Sequence, residues 1–139
     1  MDGRAERFAA AAEEMVGAPF RLHGRDAVAG VDCVGLVVLA LEQADVRVPP
    51  LPPYSLRNAA YAFLPRLAEA CGLARVCSTP ERGDCIVTAP GPAQRHLLIA
   101  TAPDCLVHAH AGLRRVVRMP WQHDAHITQH WRFAPTQEH

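Results

Sequence analysis

The chain has 139 residues, a length suited to one domain around one core. Half of the residues are hydrophobic, which excludes a disordered chain, and fourteen basic residues, all arginine, balance fourteen acidic ones, so no basic excess points to nucleic acid. No apolar run approaches the about 18 residues a membrane helix needs, and five cysteines, an odd number with no C-x-x-C pair, argue against a disulfide framework.

Residues 3–16 predict a first helix, with Phe8, Ala11, Ala12, Met15 and Val16 as its apolar stripe. The same stretch carries Asp2, Arg4, Glu6, Arg7, Glu13 and Glu14, so it lacks the apolar centre of a secretory leader. The chain is therefore expected to be cytoplasmic as synthesised. Gly17 and Pro19 stop this helix, and residues 18–30 read as a loop.

Next comes Gly30-Val31-Asp32-Cys33-Val34-Gly35-Leu36-Val37-Val38-Leu39-Ala40-Leu41, a helix that begins at a cysteine and ends near Ala44. Asp32 is its expected N-cap. Apolar residues surround it, which predicts burial at the centre of the domain. A thiol at a helix N-terminus gains thiolate character from the backbone N–H groups there. Position alone still favours a small packed residue, as most free cysteines are.

Val48-Pro49-Pro50-Leu51-Pro52-Pro53 reads as a stiff extended connector within a single domain, residues 1–139. Residues 55–71 are helical in pattern, with Ser55 as the cap, Pro65 as a kink or break, and Gly72 as the stop. The period then changes to two. Leu73–Cys77, Asp84–Ala89, His96–Ala102, Cys105–Ala111, Leu113–Met119 and Ile127–Phe133 read as strands, with Ala134–His139 as a frayed tail. Helices followed by an antiparallel sheet of five or six strands define an α+β fold.

A thiol nucleophile needs a base and a group to orient that base. His96 opens an apolar strand, and the next strand offers His108 and His110 on one face. Spacing and the hydrogen-bond role favour His108 as the orienting residue, with His110 as the alternative. His123, His126 and His130 lack a carboxylate to complete a metal set and read as packed or exposed side chains. No metal or cofactor is expected. Cys71, Cys77, Cys85 and Cys105 read as core or surface thiols, Trp121 and Trp131 as packing, and Arg114, Arg115 and Arg118 as a solvated strand edge.

Read in order, Gly17-Ala18-Pro19-Phe20, Gly24, Asp32-Cys33-Val34-Gly35-Leu36-Val37, Gly83-Asp84, His96-Leu97-Leu98-Ile99 and Val107-His108-Ala109 resemble the signatures of the NlpC-type cell-wall peptidases. The resemblance covers roughly residues 13–117 and rests on the ordered set, since D-C-x-G alone is a weak signal. It implies a papain-like fold, no cofactor, and hydrolysis of an amide in peptidoglycan stem peptides. It makes Cys33 the nucleophile, His96 the general base and acid, and His108 the orienting residue. Phe20, His23 and Asp32 fall beside the oxyanion and substrate cleft, Asp32 as cap.

Two positions depart from the family pattern. Phe20 stands where a tyrosine is usual, removing a hydroxyl whose place His23 is a candidate to take, and Val34 stands where serine is common. Phe20 keeps open an alternative reading, a catalytically weak papain-like assembly or binding module. An amidase acting on another substrate is a further alternative. A compact domain without a leader also resembles peptidases carried by phage tails, which suggests phage-tail partners and delivery to the wall in a phage-like particle, with no nucleic-acid or membrane partner.

Overall fold

The computed structural model describes residues 3–54, 63–91, 94–121 and 127–135. Among these, three helices pack on a six-stranded antiparallel sheet. The helices are α1 (Arg4–Glu14), α2 (Cys33–Gln43) and α3 (Leu64–Ala70). A two-stranded hairpin, β1 (Arg25–Asp26) and β2 (Gly30–Val31), leads into α2. The sheet strands are β3 (Leu73–Arg75), β4 (Cys85–Gly91), β5 (Gln94–Ala102), β6 (Cys105–His110), β7 (Arg115–Pro120) and β8 (Ile127–Phe133). Their spatial order is β3-β8-β4-β5-β6-β7, so the last strand inserts between β3 and β4 and ties the end of the domain to its middle.

The alternation of the strands accounts for two apolar layers. Cys85, Val87, Leu97, Ile99, Val107 and Ala109 join the larger core, together with Phe8 of α1 and Cys33, Val34, Leu36, Val37, Val38, Ala40 and Leu41 of α2. The intervening residues Ile86, Leu98, Ala100 and Leu106 form a smaller cluster, covered in part by Met119, Trp121 and Ile127. Because both faces of the central strands are buried, β4 and β5 read as near-continuous apolar runs. Burying each of these Leu, Ile and Val side chains contributes about 1.5–3 kcal/mol.

α2 is the centre of the larger layer, as its composition predicts: eight of its eleven residues are buried. Asp32 caps it, accepting from the Gly35 N–H at 2.7 Å. Gly35 is required by close approach. A Cβ there would lie 2.0 Å from the Gly24 carbonyl oxygen, and one at Gly24 would lie 2.1 Å from that of Gly30. The loop of residues 18–30 therefore presses directly on the first turn of α2.

The structure refines two expectations, and it places Pro65 in the first turn of α3, where its missing N–H has no intrahelical acceptor to lose. The 18–30 loop contains the β1–β2 hairpin, whose two-residue strands are too short to show a period. Several strands start or stop one or two residues from the expected positions, β3 ending at Arg75 and β5 beginning at Gln94. Ser55 and the first part of its expected helix lie outside the described residues, as do His123 and His126.

Candidate active site

The N-terminus of α2 is built from three segments. Gly17–Phe20 runs along β7, with Gly17 N–H donating to Val116 O at 2.9 Å, Val116 N–H to Ala18 O at 2.8 Å and Phe20 N–H to Arg114 O at 2.9 Å. On its other side Val31 N–H donates to Pro19 O at 2.9 Å and Arg21 N–H to Val31 O at 3.0 Å. The sheet is thus carried past β7 to the residue before Asp32, which fixes where Cys33 begins its helix. Cys33 is 2% exposed and shares the larger core with Leu97 and Ala109, the residues that follow His96 and His108 in sequence.

Asp32 is fully buried and does more than cap. Besides Gly35 N–H, its carboxylate accepts from His23 N–H at 2.8 Å and from the Tyr54 hydroxyl at 2.8 Å, with Arg25 Nη1 at 3.5 Å. Four donors satisfy a charge that burial would otherwise penalise. Tyr54 is the residue the sequence reading missed. The proline-rich connector returns it over the start of α2, where its ring meets His23 edge-on at 4.8 Å and lies under the Arg25 guanidinium. A tyrosine hydroxyl therefore does reach this corner, from position 54, while Phe20 is half-buried against the core and bridges to Val31. His23 is exposed, adopts a positive φ of 61°, and bonds through Nε2 to the Tyr54 carbonyl at 2.8 Å.

The register pairs between β5 and β6 run from Ala102↔Cys105 to Ile99↔Val107. His96 and His108 lie beyond that ladder, and their rings bridge the two strands: His96 Nε2 and His108 Nδ1 are 2.6 Å apart, with the rings nearly perpendicular. His108 Nε2 meets the Met119 thioether on β7. Burial, then the charges of His108 and His110, hold the His96 pKa down to about 4. Burial, then His110, does the same for His108, also to about 4. Both imidazoles are therefore neutral at pH 7. His110 Nδ1 accepts the Leu113 N–H at 3.1 Å, and its ring lies 5.4 Å from that of His108.

The structure thus joins His96 to His108, two of the three expected catalytic residues, with Cys33 at the start of α2. His130 is buried and packed, as expected: its Nε2 lies 2.6 Å from Asp84 Oδ2, and Arg132 also donates to that carboxylate. Asp84, in the Gly83-Asp84 turn, therefore holds β8 to β4. Burial raises the thiol pKa of Cys71, and raises that of Cys85 to about 12, so both are packing residues with little thiolate character. Cys77 is exposed and Cys105 partly so.

A cysteine opening the buried helix of three helices that cover an antiparallel sheet is the papain-like architecture. Within it, the chain has the fold of the NlpC/P60 proteins. NlpC2 from Trichomonas vaginalis superposes with a TM-score of 0.67 at 16% identity, over 93% of this chain and 48% of that one. The peptidoglycan hydrolase RipB from Mycobacterium tuberculosis gives 0.64 at 22% identity, over 96% and 66%. The NlpC/p60 domain of the peptidoglycan hydrolase SagA gives 0.60 at 20% identity, over 84% and 88%. The chain spans about half the length of NlpC2 and of NlpC1 from the same organism, 48% and 44%. No family model and no curated protein sequence matches the chain.

Proposed function

We propose that the chain is a cysteine hydrolase that cleaves amide bonds in peptidoglycan stem peptides. The observation that carries this reading is the neutral His96–His108 imidazole pair, bridging two strands in a fold whose central buried helix begins at Cys33. In the reaction, the Cys33 sulfur attacks the amide carbonyl while His96 takes the thiol proton. The Cys33 backbone N–H stabilises the oxyanion. His96 then protonates the leaving amine, and water, deprotonated by His96, cleaves the thioester and restores the thiol. The SagA and RipB domains, named as peptidoglycan hydrolases, support the substrate class.

The test is release of new amines from purified stem peptides by the wild-type chain, Cys33→Ala and His96→Ala. Cys33→Ala is expected to abolish turnover, and His96→Ala to lower kcat by about 10²–10⁴-fold. Equal product from wild type and Cys33→Ala refutes the assignment. Phe20 favours a second reading, a papain-like binding module docked in an assembly such as a phage-type tail. A thiol-reactive stem-peptide analogue separates the two, because a binding module without a working thiol is not acylated.

A further inference from the structure

We propose that Met119 is a positioning residue whose thioether fixes the tautomers of His108 and His96, leaving His96 Nδ1 as the bare nitrogen of the pair. A thioether sulfur accepts a hydrogen bond but has no proton to donate. His108 Nε2, which is hydrogen-bonded to it, therefore carries the proton. A neutral imidazole carries one N–H, so His108 Nδ1 is an acceptor. The group facing it is His96 Nε2, at 2.6 Å, which must then be the donor. The same count on His96 leaves its Nδ1 with a lone pair. Two neutral rings are what this network needs, and burial holds both in that form at pH 7.

Register makes the contact possible. β6 and β7 pair Leu106 with Met119 and His108 with Val117, so Met119 and His108 share a sheet face two positions apart. Met119 also packs against the small cluster of Ile86, Leu98, Ala100 and Leu106, which anchors the thioether below the imidazole. A hydroxyl or amide at 119 has both a donor and an acceptor and would tolerate either tautomer. The thioether tolerates one. The use of the bare Nδ1 to take the Cys33 proton rests on the hydrolase reading; the tautomer order itself does not.

The experiment is two-bond ¹H–¹⁵N correlation on histidine-labelled full chain at pH 7, which distinguishes Nδ1–H from Nε2–H rings. Wild type is expected to show Nε2–H for both His96 and His108. Met119→Leu removes the acceptor at similar volume and should move both rings toward Nδ1–H. It should also slow Cys33 alkylation about tenfold. Met119→Gln supplies both a donor and an acceptor and should leave the two tautomers mixed, which a purely packing role for Met119 would not produce. Nδ1–H rings in the wild type, or unchanged tautomers in a folded Met119→Leu, overturn the proposal. Where Met119→Leu does not fold, Met119→Gln carries the test, and an unchanged Nε2–H pair in that variant overturns the proposal. Correct tautomers in a chain that fails to cleave stem peptides support the positioning role while refuting the hydrolase.

Discussion

Asp32 concentrates four donors on one buried carboxylate, so its value lies in what its removal would orphan. Asp32→Ala leaves the Gly35 and His23 N–H groups and the Tyr54 hydroxyl without their acceptor, and should cost about 2–4 kcal/mol in urea unfolding. Tyr54→Phe removes one of those bonds and should cost about 1 kcal/mol; a loss as large as that of Asp32→Ala would show that the hydroxyl, not the cap, holds the corner. At the imidazole pair the expected pH behaviour follows from the lowered pKa values. His96 serves as a base only when neutral, and burial keeps it neutral down to about 4. The acid limb of kcat/KM should therefore fall near pH 4, where an exposed histidine would place it near about 6.5. A limb near pH 6.5 would mean that substrate or a rearranged site restores an ordinary imidazole.

At the scale of elements, the first turn of α2 and the hairpin loop are one packed unit. Gly35→Ala would put a methyl group 2.0 Å from the Gly24 carbonyl oxygen, a backbone atom with little room to retreat. That substitution should destabilise by about 2–3 kcal/mol in chemical denaturation, although alanine is otherwise the better helix former. A stabilised Gly35→Ala would show that the loop does not press on the helix in solution. The same contrast explains what was legible beforehand. α2 was readable because its cap and apolar surround are local, and β8 because Ile127–Phe133 is a short run rich in β-branched and aromatic residues. His96 and His108 were readable together because consecutive strands with a short turn become neighbours. Tyr54 on Asp32 was not, since a proline-rich connector carries it back across 22 positions with no periodic signal. Met119 on His108 was not, since it depends on the β6–β7 register.

For the molecule as a whole, the imidazole pair makes stability depend on pH. Both histidines have folded pKa values of about 4, below the about 6.5 of an unfolded chain, so between those values the unfolded state binds more protons. Stability is fully present above pH 6.5 and declines as pH falls toward 4, by an amount on the order of 3 kcal/mol for each imidazole. His96→Gln with His108→Gln should flatten this decline in urea midpoints measured from pH 7 to 4. An unchanged slope would assign the loss to the carboxylates. The way the sheet ends has a separate consequence. β3, three residues long, forms one margin, and at the other the β7 backbone is covered by Gly17–Phe20. A short strand at one side and a covered strand at the other deny incoming chains a template for strand addition, so the domain resists aggregation by its termination rather than its net charge, which is zero. The covering segment also sets the start of α2. Loosening it, for instance by Ala18→Pro, should expose β7 and displace Cys33 together, seen as oligomers by light scattering alongside lost thiol reactivity.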